Sequence, residues 1–278
     1  QLNKYIANLL DHIGLYLLHT EKSKEFQFND DFKLPPLIED VQAFYPTPVI
    51  PKIKLERERQ QNQYSIGQYH YESEIDSEHE KNNVVSGPFY ISSLSQNDPV
   101  HVIFVHGWRM SNLDKIKKVF LNPFLELNYN LFFFPLPYHF ERQPDSSMYN
   151  GEFMISANVQ RTLLAVKQAI TDLRALIHWI KMNRGGKVIL IGLSLGGFVT
   201  NLISTLEEKI DVLISIMYAN SIAYSIWKTI PGKYIQKDLL VHGFTYEKLR
   251  SYWAITDPSC FKPIIPIENI LLLSGMYD

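Results

Sequence analysis

Lys187-Val188-Ile189-Leu190-Ile191-Gly192-Leu193-Ser194-Leu195-Gly196-Gly197-Phe198-Val199 decides how this chain is read. An apolar, strand-like run meets a G-x-S-x-G, and an apolar helix-like stretch to about residue 207 follows it. A serine is a weak nucleophile at neutral pH, so chemistry there needs a turn that lifts Oγ clear of the backbone and a base within hydrogen-bond reach. Such a turn brings strand and helix nearly into contact, and Gly192 and Gly196, two before and two after Ser194, are small enough to allow it. A helix starting at Leu195 also aims its free amides and dipole at developing negative charge. The competing readings are a plain glycine-rich turn between strand and helix, or a phosphate cradle, but neither the G-x-x-x-x-G-K-[ST] nor the G-x-G-x-x-G spacing is present.

Outward from this turn, apolar strands alternate with amphipathic helices from residue 100 onward, the pattern of a mostly parallel, doubly wound sheet covered on both faces. Strands are expected at 101–105, 131–135, 187–191, 212–217 and 270–273, and a helix at 113–127. Val159, Leu163, Val166, Ile170, Leu173, Ile177 and Ile180 form one apolar stripe on a long helix, with Ser156 expected to cap its start and Gly185-Gly186 its end. Residues 222–266 interrupt the alternation and read as a cap insert over the active edge of the sheet.

Upstream, residues 52–75 alternate in polarity and read as one or two antiparallel strands, with Gly67 supplying a turn, before an acidic loop at 72–80. His70 and His79 stand near those carboxylates without metal-ligand spacing, so no metal site is expected. Residues 1–50 read as an N-terminal helical extension, with an apolar helix over 2–18 and a connector punctuated by Pro35, Pro36, Pro46, Pro48 and Pro51. Residues 51–278 then form the main domain.

Composition narrows the function classes. The chain has 278 residues, Lys+Arg 27 against Asp+Glu 29, a formal charge of −2 and 46% hydrophobic residues, an ordinary globular profile. That balance offers no concentrated basic face for nucleic acid, and the longest apolar runs fall far short of the roughly 20 residues that span a bilayer. Cys260 is the only cysteine, so no internal disulfide forms; a reducing cytoplasm is the expected location. The chain begins at Gln1 and stops just after a strand, which reads as a fragment of a longer protein.

With strand, His106-Gly107, helix, strand, long helix, strand and Ser194 turn in this order, residues 50–278 resemble the α/β-hydrolase superfamily. Pro137-Tyr138-His139 with Arg142-Gln143-Pro144 looks closest to a branch of abhydrolase-domain proteins. The resemblance implies that Ser194 is a nucleophile forming an acyl-enzyme from an ester or similar small-molecule acyl substrate, without a cofactor. It implies an oxyanion hole built from the backbone amides of Leu195 and Trp108, with His106 shaping the latter's loop. Asp278, at the end of the last strand, suits the triad acid; Asp257 is the alternative, and Asp211 precedes its strand at the opposite edge of the sheet. The family's catalytic histidine follows that acid and has no counterpart within the chain. His139 and His242 are the upstream substitutes, whereas His178 reads as a surface or packing residue. The first expectation is therefore a serine esterase-like hydrolase. A non-catalytic binding module on the same fold and an acyltransferase using the same turn are the alternatives. Oligomeric state, substrate identity and the role of residues 1–50 stay open.

Overall fold

The structure, a computed structural model, describes residues 27–30, 36–94 and 97–275. The helix expected over 2–18 and Asp278 both lie outside these residues.

Eight strands form one sheet: β1 (Lys54–Gln61), β2 (Tyr64–Glu72), β3 (Val84–Ser92), β4 (Val100–Val105), β5 (Asn130–Phe134), β6 (Lys187–Leu193), β7 (Val212–Ile216) and β8 (Ile270–Leu273). Their order is β1-β2-β3-β5-β4-β6-β7-β8. β1 to β3 make an antiparallel meander that joins β5, and β5, β4, β6, β7 and β8 are parallel. From the central β4 the chain moves first to β5 and then back to β6, so strand order reverses there. Crossover helices leave a crevice at the carboxyl ends of strands flanking such a reversal.

The helices are α1 (Val41–Phe44), α2 (Asp114–Glu126), α3 (Val159–Arg184), α4 (Leu195–Ile203), α5 (Ile222–Lys228), α6 (Lys233–Val241) and α7 (Tyr246–Tyr252). On β4 and β5, Val102, Phe104, Leu131 and Phe133 face α2, while Ile103, Val105, Phe132 and Phe134 face the core shared with α3 and α4. Burial on both faces is why these strands read as unbroken apolar runs. The expected stripe of α3 is buried from Val159 to Ile180. Among the described residues, no helix is long and apolar enough to cross a membrane.

Two local expectations, the turn at Gly67 and the cap at Ser156, need correction. Gly67 lies inside β2 rather than in a turn; the hairpin turns at Asn62, whose φ is 52°. A Cβ on Gly67 would come 1.9 Å from Glu56 O, beside the register shift between Arg57 and Arg59, so the glycine admits a bulge. β3 had no sequence reading because Gly87-Pro88 sits mid-strand; its ladder to β5 holds only Phe89 and Tyr90, leaving Pro88 no bond to supply on that side. Asn158, not Ser156, caps α3, its Oδ1 accepting from Arg161 N at 2.9 Å, while Gly185 ends the helix at φ 64° as expected. Of the two readings of His178, surface or packing, the structure has the second: it is 5% exposed and bonded to Glu207 Oε2 at 2.6 Å.

Candidate active site

β4 and β6 are paired from Val100↔Lys187 to Val105↔Gly192, so the His106-Gly107-Trp108 loop and the Ser194 turn leave the sheet side by side. Ser194 has φ 54° and ψ −114°, a strained conformation for a non-glycine residue. It is held by Ser194 N donating to Ile216 O (2.9 Å) and by Phe198 N donating to Ser194 O (3.1 Å). The side chain is exposed, and Leu195 is the first residue of α4, where an amide has no carbonyl four residues back within the helix.

The glycines around it are there for space. A Cβ on Gly192 would lie 2.4 Å from Gly196 O and from Thr200 Oγ1, and one on Gly196 would lie 2.2 Å from Val105 O. On Gly107 it would meet Ser194 Cβ at 3.3 Å, which places the loop after β4 against the serine.

That loop is pinned by two buried histidines. Leu136 N donates to His106 Nε2 (2.9 Å), which puts the ring proton on Nδ1, where it bonds Gly107 O (2.8 Å). Arg109 N reaches His139 Nε2 (3.3 Å), and His139 Nδ1 bonds Pro137 O (2.8 Å). The rings meet edge to face at 4.7 Å. Burial pushes His106 down to about 4, and burial together with the neighbouring His106 pushes His139 well below the usual imidazole range. Both are neutral, with each ring nitrogen committed to backbone, so His139 lies near the loop but has no lone pair for Ser194. Trp108 Nε1 donates to Gly151 O (2.8 Å), and the Arg109 guanidinium lies 4.0 Å over the Tyr149 ring.

Beneath the loop, Arg142 is fully buried. Its Nε and Nη2 donate to Asn82 O (3.1 and 2.7 Å), Nη1 to Pro135 O (3.1 Å), and Nη2 to Asp172 Oδ2 (2.8 Å). This ties the segment after β5 to α3. Neither the role of Asn82 nor the pairing of Arg142 with Asp172 has a signal in the sequence, because nothing local distinguishes these residues from surface polar groups.

The other candidates are placed as follows. Asp257 accepts from Ser259 N (2.9 Å) at the start of a short turn. Asp211 bonds Lys181 Nζ (2.6 Å) and Val188 N (2.7 Å) at the amino end of β6, the opposite edge from Ser194. His242 Nδ1 bonds Asp238 O (2.9 Å), and its ring stacks on Phe28 at 4.2 Å. No group of three or more metal-ligating side chains occurs among the described residues. Ser194 opens into a cavity of about 170 Å³, walled by Trp108 and Ile155 on one side, Leu195 and Phe198 of α4, and Ile222 and Ile226 of α5. Sequence reasoning missed Ile155, Ile222 and Ile226, which come from separate segments and carry only ordinary apolar patterning.

The family model described as alpha/beta hydrolase domain containing 18 matches residues 104–250, more than half of the chain. The chain belongs to this family. The matched span of this α/β-hydrolase includes the β4 loop and the Ser194 turn. YdjC of Bacillus subtilis is 52% identical over 66 residues, covering 24% of this chain and 57% of that protein. Protein Rv2627c of Mycobacterium tuberculosis is 26% identical over 187 residues, covering 64% of this chain and 42% of its own length. The α/β-hydrolase chain thus spans about half the length of these curated relatives. Among solved structures, an acetyl xylan esterase from Paenibacillus sp. R4 aligns with a TM-score of 0.62 at 13% identity, covering 95% of this chain and 93% of that one. Acetyl xylan esterase 1 from a Thermoanaerobacterium species aligns at 0.60 and 12% identity, covering 87% of each chain. At such identities the likeness is one of fold.

Proposed function

We propose that the chain is a serine-dependent hydrolase that cleaves a carboxylic ester, or a related small-molecule acyl substrate, through an acyl-enzyme. The observation that carries this reading is Ser194 itself: a strained residue at φ 54°, exposed into a cavity, at the start of a helix and against the loop after the neighbouring strand. In this reading Ser194 Oγ attacks the acyl carbon while its proton passes to a base. The tetrahedral oxyanion is met by the amides of Leu195 and Trp108. Collapse expels the alcohol, which takes the proton back, and water then releases the acid by the same steps in reverse order of groups. Asp278 is the proposed acid, and the base is proposed to lie outside the chain: His106 and His139 are spent on backbone bonds, and His242 is engaged with Asp238 O and the Phe28 ring. Helices α5 to α7 form the proposed cap, and a reducing cytoplasm is the proposed location.

The test is covalent labelling of the full-length protein by a small fluorophosphonate, with Ser194→Ala as control. Labelling of the parent and not of the variant is expected; equal labelling of both would remove Ser194 from the mechanism. The binding-module reading draws on the same two histidines, for a Ser194 without any base would leave a pocket but no turnover. Absence of labelling in the full-length protein would favour it.

A further inference from the structure

Among the described residues, the wall of the cavity at Ser194 contains no ionisable side chain. Apart from Ser194, its polar side chains spend their hydrogens on the protein. Trp108 Nε1 donates to Gly151 O (2.8 Å), Ser225 Oγ to Ser221 O (3.0 Å) and Thr229 Oγ1 to Ser225 O (2.5 Å). What remains facing the space is apolar, and it ends at Pro231 and Gly232. A Cβ on Gly232 would lie 2.2 Å from Ile226 Cα, so Gly232 packs tightly against α5 at that end.

Size then selects the guest. An apolar cavity of about 150 Å³ takes up benzene, six heavy atoms, so about 170 Å³ holds a group of about that size. Which half of an ester belongs here follows from the order of events. The alcohol leaves and water enters before the second step, whereas the acyl group stays bonded to Ser194 Oγ throughout and gains from an apolar seat beside it.

Resting on the serine-hydrolase reading, we infer that this cavity is an acyl pocket selecting uncharged, apolar acids of about six heavy atoms, such as a medium straight chain or a benzoyl ring. An acetyl group leaves most of the wall uncovered. A dodecanoyl chain exceeds this volume, and a succinyl group would set a carboxylate against an apolar wall.

The experiment is a series of p-nitrophenyl esters, from acetyl through butyryl, hexanoyl and octanoyl to dodecanoyl, with succinyl added, on the full-length protein. Labelling by diisopropyl fluorophosphate is measured in parallel. kcat/KM is expected to peak at hexanoyl, about tenfold above both acetyl and dodecanoyl, because filling or overfilling an apolar pocket by even one methylene changes discrimination by about that factor or more. Thr229→Phe, at an exposed wall position, is expected to move the peak to acetyl or butyryl. A flat series, a rise through dodecanoyl or a preference for succinyl, with labelling intact, overturns the pocket and leaves the nucleophile standing. If labelling fails, the hydrolase reading falls, and calorimetric titration with hexanamide against acetamide decides the pocket alone. Tighter binding of hexanamide, weakened by Thr229→Phe, upholds it; equal binding overturns it.

Discussion

Arg142 and Asp172, thirty residues apart in sequence, meet at 2.8 Å with both side chains withdrawn from solvent. Burial raises the Asp172 carboxyl against the pull of Arg142 and of Ser73, whose Oγ donates to Asp172 Oδ1 at 2.6 Å. Removing one partner of such a pair strands the other, so Arg142→Met is expected to cost about 3–5 kcal/mol in urea unfolding. Arg142→Lys should rescue little, because an ammonium cannot reach Asn82 O, Pro135 O and Asp172 together. A lysine variant as stable as the parent would show that the fork geometry is irrelevant.

Space, rather than backbone freedom, governs the glycines of the serine turn. Gly196→Ala must displace Val105 O, a main-chain atom of the central strand, and is expected to lower stability by about 1–3 kcal/mol and to abolish fluorophosphonate labelling. Gly185→Ala offers the contrast: no atom lies within 4 Å of its would-be Cβ, and only the φ of 64° opposes it. Its cost should be about 1–3 kcal/mol of backbone strain with labelling retained. Retained labelling in Gly196→Ala would mean that the strand yields.

Stability should rise with pH between about 4 and about 6.5. Burial holds His101 and His106 down to about 4 in the folded chain, while the unfolded imidazole titrates near 6.5. Between these values the unfolded state binds the extra protons, so acid favours unfolding, and each histidine contributes roughly 3 kcal/mol across the window. Glu207 acts in the same direction lower down. Burial alone would raise its carboxyl, but bonds from His178, Lys209 N and Arg174 outweigh that and hold it below the usual value, so its contribution is lost as pH falls through the folded pKa. Urea midpoints from pH 4 to 8 measure the slope. The same slope in a His101→Asn/His106→Gln double variant would exclude these two histidines as its source.

Asp238 fastens the chain segment at residues 27–28 onto α6. Its Oδ2 accepts from Gln27 N (2.8 Å) and Phe28 N (3.2 Å), and the Phe28 ring lies between His242 and Phe244. Asp238→Ala is expected to cost about 1–3 kcal/mol and to speed hydrogen exchange at those two amides. Unchanged exchange would show that the segment is held by its ring contacts alone.

The parallel strands were legible because Val102 to Val105 and Leu131 to Phe134 are buried on both faces, which leaves unbroken apolar runs. β3 was not, since Gly87-Pro88 mimics a turn and only its weak pairing to β5 makes the proline tolerable. Ser156 and Asn158 are both good caps, and only the observed bond to Arg161 N chooses between them. The turn at Ser194 was legible because its glycines are adjacent in sequence. The wall of its cavity was not, because Ile155, Phe198, Ile222 and Ile226 meet only after α3, α4 and α5 are in place. That His106 shapes its loop was readable from the motif; the matching part played by His139 was not, since it depends on the fold of the segment after β5 bringing the ring to Arg109 N.

Because His106 and His139 act as side-chain stand-ins for peptide groups, with no nitrogen left over, the floor of the loop after β4 is proton-silent across the range in which free imidazoles titrate. In the proposed mechanism a pH–rate limb between roughly 5 and 8 would therefore belong to the base that serves Ser194, and could be read as that group's own titration curve without correction for a shifting loop.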